Sequence, residues 1–475
     1  MRRRPFFLAG EWREGEESFE VTNPFDGSVV AEVGAPNDEE VEEALTRSAE
    51  TFHKSRSLPL HERAEALAHI SRRIRERSEE IAVTIVREGG KPLKWARVEV
   101  ARAVSTLSWA AEEVRRMGGE VLRLDTEAAN GSRLGIVRRF PFGPVLGISP
   151  FNFPVNLVAH KVAPALGVGA PILIKPATAT PLGALLLAEL FDECDLAGGM
   201  LSVLPLAGPR AERLVADPRI RKVSFTGSVE VGWRLKGLAP KKPFTLELGG
   251  NGGVIVHSDA DLDHAAARIA FGGYYQAGQS CVAVQRVFAH APIYEELVSR
   301  LVDRVEMLEV GDPLDPDTDV GPMIDGRALD RVAAWVEEAA AGGAEVLCGG
   351  HRRDPFYEPT VLARTHPDMK VRCEEVFGPV VTISPYCDFE EALAEVNATR
   401  YGLHAGVFTR DLERVFLAHR ELEVGGVIVN DVSAFRADQM PYGGAKDSGH
   451  GREGLRYAME EMTQSRILVL SGVPL

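Results

Sequence analysis

The 475-residue chain is 45% hydrophobic and 26% charged, with a formal net charge of −15; these are values of a globular enzyme with room for two or three domain cores. The acidity argues against nucleic-acid and anionic-membrane partners, which call for a basic patch. No run of 18 apolar residues is present to span a bilayer, and the basic start MRRRPFF lacks the apolar run and cleavage site of a signal peptide. The five cysteines include no CxxC pair and no Cys/His cluster, which predicts free thiols in a reducing cytoplasm and no bound metal.

In chain order, residues 38–116 carry helical periodicity with charged faces, as in HERAEALAHISRRIRERSEEIAV. VLRLD and GIVRRFP, within 121–141, read as a hairpin that the C-terminal strand RILVLSG could join. From residue 145 short apolar runs (VLGISP, ILIKP, LSVLP, KVSFTG) alternate with helical stretches (LVAHKVAPAL, LGALLLAEL, ERLVAD). That alternation predicts an α/β fold with a doubly wound, Rossmann-like parallel sheet. A second alternating set runs from GGVIVHS through QRVFAH, VVTISPY and AGVFT to GGVIVND. The expected division is a dinucleotide-binding domain over 1–120 and 140–246, a second α/β catalytic domain over 247–454, and a small β oligomerisation arm over 121–139 and 455–475.

Several polar residues interrupt this apolar framework. Asn152 in SPFNFP stands between phenylalanines and prolines, and Lys175 in IKPAT ends an apolar strand. Strand ends of that kind are where open α/β sheets bind ligands. In KVSFTGSVEVG a strand ends at Phe225, Gly227 allows a turn, and Ser228 can cap a helix whose N-terminus would face an anion. Glu247 in FTLELGG breaks a strand just before two glycines, and a carboxylate there is paired, exposed or functional. Each also has a plain structural reading: a cap for Asn152, a solvated edge charge for Lys175 and Glu247. In YYQAGQSCVAV a thiol, Cys281, follows a turn and precedes an apolar run; most buried cysteines in such places are inert filler. GHGREG (449–454) matches G-x-G-x-x-G but follows a loop and has no βαβ context, so it is rejected as a pyrophosphate site.

Taken together, PFGPVLGISPFNFP, IKPA, FTGS, LELGG, AGQSC, EEVFGPV and PYGGAKDSGHGREG follow the order of the aldehyde dehydrogenase superfamily, which the whole chain resembles. The resemblance implies that the Cys281 thiolate attacks an aldehyde, that Asn152 and the Cys281 backbone N–H hold the oxyanion, and that Glu247 activates water to hydrolyse the thioester. It implies NADP or NAD as cofactor, with Lys175 (also counted as catalytic) at the adenosine ribose, Ser228 at the pyrophosphate, and Glu375 and Phe377 at the nicotinamide ribose and ring. Ser149, Phe151, Thr178, Gly208, Phe225, Gly227 and Leu248 complete the implied cofactor set. Thr178 stands where many NAD-preferring members carry glutamate, so NADP is expected to serve at least as well as NAD, with Arg210 a further candidate cation. The alternative is that Thr178 or Thr180 caps the helix starting near Leu182.

The nearest resemblance is to lactaldehyde and non-phosphorylating glyceraldehyde-3-phosphate dehydrogenases, in which Arg102 and Arg436 match substrate-phosphate positions. Two further polar anchors of the phosphate enzymes are replaced here by Ser280 and Phe153. A small hydroxylated aldehyde is therefore expected, with carboxylated, sulfonated or phosphorylated aldehydes as the alternative. His160 either lines the mouth of the site or packs against the sheet. A thioester-forming acyltransferase or esterase would use the same thiol without a cofactor site, and a non-catalytic relative would not need Cys281 or Glu247. The family's habits imply a homodimer or homotetramer.

Overall fold

A computed structural model of the protein describes residues 3–472; the ends of the expected N-terminal segment and C-terminal tail, 1–2 and 473–475, lie outside the described residues. The helical region resolves into α1 (Asp38–Ser55), α2 (Leu60–Glu76), α3 (Ser78–Gly89) and α4 (Leu93–Arg116). A capping box opens α1: Asn37 accepts from the Glu40 N–H while the Glu40 carboxylate accepts from the Asn37 N–H.

The first sheet has eight strands, and its five central ones are parallel: Leu201–Val203, Ile172–Lys175, Val145–Ile148, Lys222–Thr226 and Phe244–Glu247, in that spatial order. The crossovers after the first three are α5 (Asn156–Val168), α6 (Leu182–Asp192) and α7 (Gly208–Ala216), and α8 (Val229–Leu238) follows Lys222–Thr226. The chain winds outward one way from Val145–Ile148 and then returns to build the other half. Its switch point therefore lies between Val145–Ile148 and Lys222–Thr226, and ligand crevices open at the C-terminal ends of strands at such a point. The register pairs Ile148 with both Lys175 and Phe225, and Thr226 with Glu247. Lys175 and Glu247 thus lie along one C-terminal edge. Phe6–Leu8 extends this sheet antiparallel to Leu201–Val203, a pairing the sequence pattern did not announce.

The second sheet has seven strands, ordered Glu345–Cys348, Thr360–Ala363, Val380–Tyr386, Val284–His290, Gly252–Val256, His404–Phe408 and Gly426–Val429. Every pairing but the first is parallel. Gly449–His450, expected with this second unit, instead pairs antiparallel with Leu246–Glu247 at the edge of the first sheet. The expected hairpin and tail form a third sheet, with Arg133–Pro141 between Gly119–Arg123 and Thr463–Ser471. Among the described residues no helix is long and apolar enough to cross a membrane.

Candidate active site

Cys281 sits on a loop built to approach its neighbours closely. Leu262–Tyr274 ends and a single 3-10 turn, Tyr275–Gly278, follows with Gln276 and Ala277 at φ 53°, in the left-handed region. Non-glycine residues are held there only where the surroundings over-determine them. Gly278, at φ 66°, has no room for a side chain, since a Cβ would come within 2.1 Å of the Gly378 carbonyl oxygen. Two amides then tie the loop to SPFNFP: Asn152 Nδ2 donates to the Gln279 carbonyl at 3.0 Å, and Gln276 Nε2 donates to the Asn152 carbonyl. Asn152 is buried and its Oδ1 has no partner. Through these amides Asn152 is bonded to the loop that carries Cys281.

Glu247 reaches the same place from the end of its strand. The two glycines after it are needed for packing: a Cβ on Gly249 would lie 2.3 Å from the Glu375 carboxylate, and one on Gly250 would lie 2.2 Å from the Cys281 carbonyl oxygen. The Glu247 carboxyl is buried with neither oxygen hydrogen-bonded. Burial, and after it the facing Glu453 carboxylate, hold its pKa well above the usual range, against the opposing charges of Arg436, Lys161 and Arg452. Burial also pushes the Cys281 thiol up to about 11, partly offset by a hydrogen bond with Tyr442 at 3.2 Å.

Behind these groups lies an ion network whose importance the sequence did not signal. Lys161, fully buried on α5, donates to Thr226 Oγ1 at 2.7 Å, Ser224 Oγ at 3.2 Å and Glu453 at 3.3 Å. Glu453, inside the rejected GHGREG motif, also accepts from Arg436 at 3.0 Å. These two cations hold its carboxyl down to about 2. A lysine in the largely apolar LVAHKVAPAL was the available clue to a buried ion pair, since Lys is almost never fully buried unless paired.

Of the expected substrate residues, Arg436 belongs to this network, Arg102 and His160 meet it through Asp438, and Phe153 lies against Lys91. Arg102 is partly exposed; one of its Nη atoms donates to Asp438 at 2.9 Å, and its Nε has no partner. His160 is buried, with Nε2 3.1 Å from Asp438 Oδ1 and Thr106 beside it. Its polar neighbours are Thr106 on α4, Asp438 and Arg436. Arg436 is buried and committed to Glu453 and to the Tyr442 ring. Phe153 carries the Lys91 ammonium 3.9 Å from its ring centroid, and Lys91 is itself paired with buried Glu99. Glu99 also accepts from the Val155 and Asn156 N–H groups, fixing the loop that carries Asn152.

The expected cofactor residues gather along the C-terminal edge of the first sheet. Ser149 follows Val145–Ile148, and its N–H donates to the Lys175 carbonyl. Burial pushes the Lys175 ammonium down to about 8. The N-termini of α7, at Gly208, and α8, at Ser228, carry no side-chain cap, so Ser228 holds the capping position without making the expected bond. Open space surrounds a Cβ built on Gly208, whereas one on Gly227 meets the Phe225 ring at 2.6 Å. Uncapped N–H groups beside a lysine suit a pyrophosphate. By contrast, neither Thr178 nor Thr180 caps α6: the distant Glu88 carboxylate accepts from Leu182 and Gly183, and Thr180 donates to the Phe151 carbonyl. Thr178 is exposed and unencumbered. Arg210 is spent on Asp38, Glu17 and the Pro36 carbonyl, which removes it as the further cation. Leu248 is buried against Gly232. Glu375 accepts from the Gly250 N–H at 2.9 Å, and burial raises its carboxyl to about 7. Phe377 meets Phe151 edge-on at 5.9 Å.

Residues 12–468 match the aldehyde dehydrogenase family. The 3-sulfolactaldehyde dehydrogenase of Priestia megaterium is 43% identical over 466 residues, covering 98% of this chain and 97% of that one. Aldehyde dehydrogenase 21 from Physcomitrella patens, solved with the reaction product succinate, superposes with a TM-score of 0.98 at 42% identity, over 100% of this chain and 99% of that one. The NADP-dependent glyceraldehyde-3-phosphate dehydrogenase of Bacillus halodurans, complexed with NADP, gives a TM-score of 0.96 at 34% identity over 99% of each. The chain belongs to the aldehyde dehydrogenase family.

Proposed function

We propose that the protein oxidises a short hydroxylated aldehyde to its acid, using NADP or NAD, through a thioester on Cys281. The observation that carries this reading is the meeting of Cys281, Asn152 and Glu247 at one end of the first sheet, in a chain of this family. The Cys281 sulfur adds to the aldehyde carbon, and the second Nδ2 hydrogen of Asn152 and the Cys281 N–H steady the oxyanion. The bound nicotinamide cofactor supplies the hydride acceptor. The Lys175 ammonium, the N-termini of α7 and α8, Glu375 and Phe377 would hold it. Glu247 then takes a proton from the water that releases the acid; a carboxyl raised above its ordinary range is a stronger base than a solvated carboxylate.

A second reading, an anionic hydroxyaldehyde, is supported by Arg102. Its Nε–H is unpaired beside a site already holding Asp438 and Glu453. Arg102 and Arg436, set beside Asp438 and Glu453 with a His160 that burial keeps neutral, each leave an Nε–H unpaired and so offer cationic donors to a sulfonate or carboxylate. A sulfonated hydroxyaldehyde satisfies both readings, and a relative's name carries that substrate. Thr178 presents no carboxylate to a 2′-phosphate, which supports NADP being used at least as well as NAD. The division into two α/β units and an arm, a cytoplasmic location and a dimeric or tetrameric assembly belong to the same proposal.

The test follows absorbance at 340 nm with both cofactors and lactaldehyde, glyceraldehyde, 3-sulfolactaldehyde, succinate semialdehyde and glyceraldehyde 3-phosphate. Highest kcat/KM is expected for a hydroxylated substrate that is neutral or singly charged. A clear preference for the phosphate, or for NAD by more than about tenfold, would overturn the substrate or cofactor part respectively.

A further inference from the structure

Tyr442 belongs to the PYGG stretch, yet nothing in the sequence distinguished it from filler. We infer that Tyr442 is a catalytic residue that donates a hydrogen bond to the Cys281 sulfur, favouring its thiolate form and aiming it for attack. The inference rests on Cys281 being the nucleophile and goes beyond the reaction assigned above. The phenol oxygen lies 3.2 Å from Cys281 Sγ, the ring is 2% exposed, and Sγ is its hydrogen-bond partner among the described residues.

A closed set of contacts fixes that hydroxyl. Tyr442 and Glu453 exchange both backbone hydrogen bonds, at 3.0 and 2.7 Å. The Glu453 carboxylate holds Arg436, whose guanidinium returns to stack 3.7 Å from the Tyr442 ring centroid. His404 closes on the ring edge-on at 5.0 Å. A ring gripped in this way cannot easily turn its hydroxyl from the sulfur, so the donor is preorganised.

The charges around the pair define the direction of the bond. Burial, Glu375 and Glu247 disfavour the thiolate, while Tyr442 and Arg436 favour it. Tyr442 faces Cys281, Glu247 and Arg436 among charged groups, together with the neutral His404, and burial holds its own hydroxyl protonated well above the ordinary phenol range. The phenol therefore remains the donor whenever the sulfur has lost its proton to solvent. On attack the C–S bond forms, the carbonyl π pair becomes the oxyanion, and the phenol keeps its proton. Its hydrogen bond is strongest before the sulfur charge is spent.

Tyr442→Phe removes the hydroxyl and leaves the ring for Arg436 and His404. The readout is the pH dependence of Cys281 alkylation by iodoacetamide in the full-length enzyme, with Cys281→Ala giving the background from the other thiols. The alkylation midpoint should rise by about one pH unit, with about tenfold slower alkylation at neutral pH. The acid limb of kcat/KM should move with it, while the melting temperature and NADPH binding stay unchanged. An unmoved alkylation midpoint overturns the inference. If Tyr442→Phe does not fold, 3-fluorotyrosine at position 442, a stronger donor of the same shape, decides instead: its midpoint should fall, and an unmoved one overturns the inference. Alkylation needs no aldehyde, so a wrong substrate assignment leaves this result intact.

Discussion

Glu247 is a buried carboxyl with both oxygens unpaired, at a cost a purely structural residue would not sustain. Its raised pKa gives a sign. The base form is lost as pH falls through that raised value, so hydrolytic turnover should decline on the acid side well above the usual carboxylate range. Glu247→Gln keeps the shape and removes the base. A stoichiometric burst of NAD(P)H should survive it while steady-state turnover falls by about 10²–10⁴-fold. Cys281→Ala should remove burst and turnover together while NADPH still binds. If Glu247→Gln loses the burst as well, Glu247 acts before the thioester, on the thiol itself. Cys281, Glu247 and Asn152 were legible only together, through the ordered motifs of the family the chain resembles, since each alone also had a plain structural reading. Tyr442, Lys161, Glu453 and Asp438 were not. Their roles arise from partners up to 292 residues away, and beyond a lone lysine in an apolar stretch the sequence does not say which residues pair.

The elements themselves were legible where periodicity was strong. Each apolar run named from residue 145 to 226 became a strand of the first sheet, and the intervening stretches became α5, α6 and α7. What stayed hidden was how elements are closed against one another, as when Glu88 at the end of α3 caps α6 in place of the nearby threonines. The loop after Phe244–Glu247 offers a test of such closure. Gly250 lies against the backbone of the nucleophile loop, where a Cβ would come within 2.2 Å of a carbonyl oxygen that cannot rotate away. Gly250→Ala must therefore displace Glu247 and Cys281 relative to each other. A shift of about 1 Å predicts a loss of about 100-fold in kcat/KM, with the far-ultraviolet circular dichroism unchanged. Gly237, near the end of α8, has nothing within 4 Å of the place a methyl group would occupy. Gly237→Ala should leave kcat/KM alone and stabilise by up to about 1 kcal/mol. Equal behaviour of the two variants would refute this account of the loop.

At the scale of the whole molecule, the third sheet is the feature least explained by a single chain. Arg133–Pro141 is paired on both sides, but Gly119–Arg123 and Thr463–Ser471 each present an open edge. Their apolar side chains face solvent: Val121 is 69% exposed, Ile467 54% and Leu468 56%. Open edges with exposed β-branched and leucine side chains pair with other chains unless charged or covered. The sequence showed the strands through their alternating pattern, but it could not show that, among the described residues, these side chains stay exposed. Sedimentation velocity at micromolar concentration should therefore find a dimer or a dimer of dimers. Leu468→Lys puts an ammonium on the exposed face, and Val121→Lys puts a second one on the opposite edge strand. The pair should weaken assembly by at least about tenfold, equivalent to about 1.4 kcal/mol, while kcat/KM measured on the remaining assembled enzyme stays near wild type. The magnitude is modest because charge on an edge opposes pairing without removing its backbone hydrogen bonds. A wild-type chain that sediments as a stable monomer at that concentration would show that these edges are tolerated bare, and the assembly proposed here would be wrong.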